Sequence, residues 1–144
     1  MTPSDIQDIR DTFRRLAGDP DGLAAEFYAR LFFLDPSLKP MFPADLKPQG
    51  RKLVAMLAIV VQHLDRLDAI LDDVRGLAHR HVGYGVRATH YATVGAALIA
   101  TLESRLGDRF DAPARAAWMA AYTILSRAMI AAAEAHGTPA RTAA

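Results

Sequence analysis

The segment LAHRHVGYGV, residues 77–86, sets His79 and His81 two positions apart and follows them with a Gly-Tyr-Gly turn. Imidazole is the commonest protein metal ligand, and its unperturbed titration falls near neutrality. A His-x-His pair chelates one ion from a strand, where alternate residues share a face, but a helix turns the two rings apart. At about 100° per residue, His81 continues the apolar stripe of Val74, Leu77 and Ala78, while His79 lies some 200° round the axis. His81 therefore points inward and His79 outward. An inward imidazole in the last turn of a helix is either a buried core histidine or an axial metal ligand, and the spacing leaves both open.

Other chemistries have less to build on. The chain has no cysteine, which removes disulfides, thiolate metal sites, iron–sulfur clusters, cysteine nucleophiles and covalent haem attachment. Any metal must be held by nitrogen or oxygen. There is no Glu-x-x-His pair for a di-iron bundle, no glycine-rich phosphate loop and no Gly-x-Ser-x-Gly elbow. Asp72 and Asp73 read as a solvated helix face. Two further features look inward: a proline-broken aromatic corner, PMFPADLKP, and the stretch QGRKLVAML that follows it. On pattern alone Tyr28, among Leu23, Phe27 and Leu31, is a half-buried core tyrosine, and Gln49 in a first helical turn is solvated.

The elements that must position these residues are helical. Ser4 with Gln7 has the form of a capping box, and Ile6, Ile9, Phe13 and Leu16 predict a helix over roughly 4–17. A second helix opens after Pro20 and ends near LDPS. Pro36, Pro40, Pro43 and Pro48 then allow only a short helical turn and an irregular corner. Pro48 suits the start of a helix running to about residue 65. A periodic stretch from Leu67 to Ala78 precedes the break at Gly83 and Gly85. Tyr91, Val94, Leu98, Leu102 and Leu106 mark a helix over about 88–106. The last helix opens at Asp111 and Pro113, and Gly137 is expected to close it, leaving 138–144 as a frayed tail. With no alternating strand pattern, the chain is expected to be all-α, with about seven helices in one domain spanning 1–144.

Lys plus Arg (17) nearly balances Asp plus Glu (16), and the basic residues are scattered. No footprint for nucleic acid or an anionic membrane surface follows. The N-terminal stretch lacks a signal-type apolar segment, and no later run approaches a membrane span, so a soluble cytoplasmic protein is expected.

Four segments, in this order, resemble the globins, specifically bacterial single-domain globins related to the haem domain of flavohaemoglobins. They are EFYARLFFLDPSLKPMF, QGRKLVAMLAIVV, HRHVGYGVRATHYATVGAAL and AAWMAAY, and the resemblance that rests on them runs along nearly the whole chain. The resemblance implies a three-over-three helical sandwich around one non-covalent haem b. It places His81 as the proximal iron ligand, Phe42 as the corner phenylalanine packed on the macrocycle, and Gln49 over the distal face. Leu53 and Leu57 would wall the ligand pocket, Tyr28 would aim a phenol at bound ligand, and Val86, Tyr91, Val94 and Tyr122 would line the haem or brace its proximal side.

The implied function is reversible binding of dioxygen, for transport or storage, with carbon monoxide and nitric oxide as further ligands. Nitric oxide detoxification to nitrate, a dioxygenase activity, would need a separate flavin reductase, because 144 residues leave no room for a fused one. A haem-based ligand sensor, a pseudo-peroxidase and a haem-free helical interaction protein are the alternatives. The chain departs from the pattern twice. The glutamate that flavohaemoglobins pair with the tyrosine at Tyr91 falls, counted from Tyr122, on Ala133, with Glu134 about 100° away on a helix. The corner between Phe42 and Gln49 is also shorter than in common members.

Overall fold

The computed structural model describes the backbone of residues 1–83 and 87–143, and the side chains up to residue 134 except at 71, 82 and 83. Six α-helices and three 3₁₀ turns make up the ordered elements, with no strand among the described residues. Helix α1 spans Pro3–Leu16. Its N-cap is Thr2 rather than Ser4: the Thr2 hydroxyl accepts from the Asp5 amide at 3.1 Å, and the Asp5 carboxylate accepts from the Thr2 amide at 2.9 Å. Proline suits the first helical position because its missing N–H would be unpaired there anyway, so Pro3 starts the helix ahead of the Ser4–Gln7 pair.

Helix α2, Pro20–Leu34, is capped by Asp19, whose carboxylate accepts from the Gly22 amide at 3.1 Å. A 3₁₀ turn at Pro36–Met41 and an irregular corner lead into α3, Lys47–Gln62. The stretch expected to be periodic from Leu67 divides into a 3₁₀ turn, Leu67–Ile70, and α4, Leu71–Gly83. Helix α5 runs Ala88–Leu106 and stops at Gly107, whose φ of 56° lies in the left-handed region that favours glycine. A third 3₁₀ turn, Gly107–Arg109, precedes α6, Ala112–Ala143.

The helices form two layers: α2, α5 and α6 in one, α1, α3 and α4 in the other. Across the layers α1 and α4 pack on α6, and α3 packs on α2. This is the three-over-three arrangement expected from the sequence. Ile9, Leu23, Leu31 and Leu102 are each only 1% exposed, and burying such a side chain contributes about 1.5–3 kcal/mol. Polar clips fix the helices against one another. Trp118 Nε1 donates to Thr12 Oγ1 at 2.8 Å, joining α6 to α1. Arg105 bridges Asp19 at 2.7 Å and Glu26 at 3.3 Å, joining α5 to α2. Arg10 donates to the Val61 and Gln62 carbonyls, each at 3.2 Å, where the last turn of α3 leaves acceptors without helical partners.

Two further expectations about the fold need correction, both on α6. The helix continues past Gly137 to Ala143 instead of closing in a frayed tail. One interior glycine costs roughly 1 kcal/mol relative to alanine, and the alanine-rich sequence around it favours helix. In addition, Ala112–Glu134 is long and apolar enough to cross a membrane by length and composition alone. Its many alanines raise the hydropathy without a conspicuous run of large side chains. Its Ala114, Ala117, Trp118 and Ala121 are buried in the core, and core helices pass the same test.

Candidate functional site

A cavity of about 460 Å³ opens between α3 with its preceding corner and the facing surfaces of α4, α5 and α6. Small-molecule pockets run about 300–1,000 Å³. Eight residues singled out from the sequence lie on its wall: Phe42, Gln49, Leu53, Leu57, His81, Tyr91, Val94 and Tyr122. Val86 lies outside the described residues. Tyr28 is not among the lining side chains.

On the α4 side, His81 is half-buried and its Nδ1 lies 2.8 Å from the Leu77 carbonyl. A carbonyl only accepts, so Nδ1 carries the hydrogen and Nε2 keeps its lone pair. That is the tautomer a metal-ligating histidine needs, held by an outer hydrogen bond. Burial pushes the imidazole below its ordinary pKa, the Leu77 bond opposes this, and Arg80 adds to the lowering. The ring is therefore neutral at neutral pH, as ligation requires.

The Tyr91 ring lies nearly parallel to His81, at 20° and 6.5 Å between centroids. Behind it, the Tyr122 hydroxyl donates to the Tyr91 carbonyl at 2.6 Å. Gly95 permits that reach, because a Cβ there would stand 2.7 Å from Tyr122 Cε2. Burial raises the pKa of both phenols, and Tyr91 adds to the rise at Tyr122. The buried Tyr91 hydroxyl has no hydrogen-bond partner among the described residues. The half-buried Ala133, where the resemblance locates a glutamate in related chains, offers only a methyl group.

The α2–α3 side is arranged differently from the expectation at Tyr28. Its ring sits within an aromatic cluster, 5.2 Å from Phe27, 6.0 Å from Phe32 and 5.5 Å from Phe42. Its hydroxyl donates to the backbone carbonyl of Gln49 at 3.4 Å. Phe27, one position earlier and about 100° round the helix, lines the cavity in its place. The two helices meet at Gly50, where a Cβ would come 2.7 Å from Ala24 Cβ, and this close approach brings Gln49 beside Tyr28. Burial pushes the Tyr28 phenol up to about 12, against the opposing bond at Gln49, so it is a protonated donor throughout the neutral range.

Sequence reasoning missed several wall residues, among them Phe27, Leu31, Met56, Lys52, His90 and Met129. Lys52 and His90 immediately precede the singled-out Leu53 and Tyr91. Both are polar, and apolar periodicity, which picked out their neighbours, does not mark a polar position as cavity wall. No group of three or more histidine, cysteine or acidic side chains able to hold a bare ion occurs among the described residues. The neutral His81 imidazole at the wall of this apolar cavity fits a metal that brings its other donors with it, inside a macrocycle.

An all-helical sandwich that presents the His81 imidazole at the wall of an apolar cavity is a fold and site that a metal macrocycle fits. The globin family model matches residues 25–129, and the chain belongs to the globin family. It is 33% identical to a flavohemoprotein of Vibrio cholerae over 90% of this chain and 34% of that protein. It is 28% identical to neuroglobin-1 of Oncorhynchus mykiss over 90% of both. A solved bacterial globin from Campylobacter jejuni superposes with a TM-score of 0.82 at 28% identity, covering 92% of this chain and 96% of that one. The chain thus spans about a third of the length of the flavohemoproteins it matches. Family membership supports haem-based binding of small gas ligands.

Proposed function

We propose that the cavity holds haem b non-covalently on His81 Nε2 and that the protein binds dioxygen reversibly. The observation that carries this reading is the 2.8 Å contact between His81 Nδ1 and the Leu77 carbonyl, which leaves Nε2 as the unprotonated nitrogen of a ring on the wall of an apolar cavity of about 460 Å³. Haem supplies an iron with a further coordination position for dioxygen, carbon monoxide or nitric oxide. The residues of this chain do the rest. Phe42, Leu53, Leu57 and Val94 supply apolar wall and exclude water. Gln49 offers its side-chain amide as a donor, and Tyr28 holds the Gln49 backbone from behind. A haem-free interaction protein would gain stability by filling the space beside His81 with aliphatic groups, so the open cavity favours a ligand-holding role.

A second reading rests on the similarity to flavohemoproteins: nitric oxide is oxidised to nitrate, with electrons delivered by a separate flavin reductase. The first test is a titration of the protein with haem. A Soret band that sharpens and saturates at one haem per chain is expected, and a spectrum that remains that of free haem discards the reading. Mixing the oxygenated protein with nitric oxide then separates the two functions. Nitrate formation that stops after one turnover without reductase and continues with it supports the dioxygenase, while a reductase that changes nothing leaves the carrier.

A further inference from the structure

We infer that a second cavity, where α1 ends, α2 begins and α5 ends, binds a phosphoryl dianion; this is independent of the haem reading. The cavity measures about 250 Å³ and shares no lining residue with the larger one. Its wall takes Arg15 and Leu16 from the last turn of α1, Asp19 from the cap of α2, Arg105 and Leu106 from the last turn of α5, and Arg109 from the 3₁₀ turn that follows. Leu16 and Leu106 are buried. The polar groups a ligand meets are therefore three guanidiniums and one carboxylate.

Arg105 is already engaged. Its Nη2 donates to Asp19 at 2.7 Å and its Nη1 to Glu26 at 3.3 Å. Gly22 leaves room for this bridge, because a Cβ there would overlap the Asp19 carboxylate and stand 2.9 Å from Arg105 Nη2. Glu26 is shared with Arg30 at 3.0 Å, so Arg105 and Arg30 together offset Asp19 and Glu26. Arg15 and Arg109 are exposed and make no ion pair or hydrogen bond with the described residues. Asp21 and Asp108, close to the site in sequence, are not on its wall. Two positive charges thus remain without a partner in one concavity.

Arginines in the last turn of a helix complement its dipole, which accounts for Arg15 and Arg105 singly but does not bring them onto one wall with Arg109. Two uncompensated charges match a dianion. A phosphoryl group carries close to two negative charges and three strong acceptor oxygens, and guanidinium forks bind such oxygens in pairs. A lone carboxylate would leave one charge unmatched. The volume lies below the roughly 300–1,000 Å³ of pockets for drug-sized molecules, so the ligand is small: inorganic phosphate, or the phosphate end of a phosphomonoester.

The test titrates the purified chain with inorganic phosphate and with methyl phosphate, by calorimetry and by the urea unfolding midpoint, at an ionic strength held constant with chloride. The wild type should bind one phosphate per chain saturably, and its midpoint should rise with phosphate. Arg15→Met and Arg109→Met should each weaken binding by roughly five- to tenfold, between the effect of an exposed ion pair and that of a charge-assisted hydrogen bond. Arg15→Lys should recover part of the loss, since it keeps the charge but not the fork. Arg14→Met removes a neighbouring charge that is not on the wall and should change nothing. Tighter binding of inorganic phosphate identifies the free ion as the ligand; equal or tighter binding of methyl phosphate identifies a phosphomonoester. A wild type with neither saturable heat nor a shifted midpoint would overturn the inference, as would equal weakening by Arg14→Met and Arg15→Met, which marks diffuse charge.

Discussion

The two walls of the cavity are built to different tolerances. On the α4–α5–α6 side two polar anchors are short and end on backbone: His81 Nδ1 on the Leu77 carbonyl at 2.8 Å, and the Tyr122 hydroxyl on the Tyr91 carbonyl at 2.6 Å. On the α2–α3 side the one corresponding bond, from Tyr28 to the Gln49 carbonyl, is 3.4 Å long, and the Gln49 amide is bound by no described residue. Backbone carbonyls inside helices move little, so the first wall holds its imidazole in one tautomer and place. The second keeps donors that can rearrange around a small ligand. A protein that must retain a cofactor while exchanging gas ligands needs this asymmetry.

The largest effect expected from breaking it is on ligand release. A donor to a charged or strongly polarised ligand is worth about 1.5–3 kcal/mol, or roughly ten- to a hundred-fold in affinity. Gln49→Leu should raise the dioxygen off-rate by about that factor and change carbon monoxide binding little. Tyr28→Phe should raise it several-fold, by freeing the Gln49 backbone. Stopped-flow measurement of both gases decides the matter, and an unchanged dioxygen off-rate in both variants would remove the ligand-stabilising role of this wall.

Stability should respond in the opposite sense, with the α4–α5–α6 wall the less forgiving. Gly95→Ala drives a methyl group toward the Tyr122 ring, at 2.7 Å from Cε2, and overpacking of this kind costs about 1–3 kcal/mol. Urea unfolding should show the loss. Unchanged stability would mean that Tyr122 moves aside easily and that the contrast between the walls is overstated.

The smallest effect is a pH dependence. Tyr28 ionises near 12 in the folded protein against an ordinary phenol value of 10.0. Between those values the unfolded chain has lost the proton and the folded one has not. The resulting contribution to stability is complete below about pH 10 and declines as pH rises toward 12. Tyr28→Phe should flatten that part of the stability–pH curve, and a parallel curve would show that other groups govern alkaline unfolding.

How much of this was legible in the sequence depended on how one-sided each helix is. Inward-facing His81 followed from Val74, Leu77 and Ala78, because α4 has one apolar stripe and a charged remainder. Helix α5 was readable end to end for the same reason. Helix α2 was not, since Leu23, Ala24, Phe27, Tyr28 and Leu31 are all buried on it. When adjacent positions are both apolar and both buried, spacing does not say which faces a cavity and which faces a neighbouring helix. The exchange of Phe27 for Tyr28 at the wall came from there. Lys52 and His90 escaped notice because apolar periodicity does not mark a polar position as cavity wall. Gly50 and Gly95 act through the atoms they lack, which no periodicity records.

The central claim, that one nitrogen of His81 grips the cofactor, is tested most directly by the visible spectrum of His81→Gly with haem, before and after adding free imidazole. The account predicts that the Soret band of the wild type is lost in the variant and returns as imidazole occupies the vacated space. A variant that keeps the wild-type spectrum and haem affinity without imidazole would contradict it.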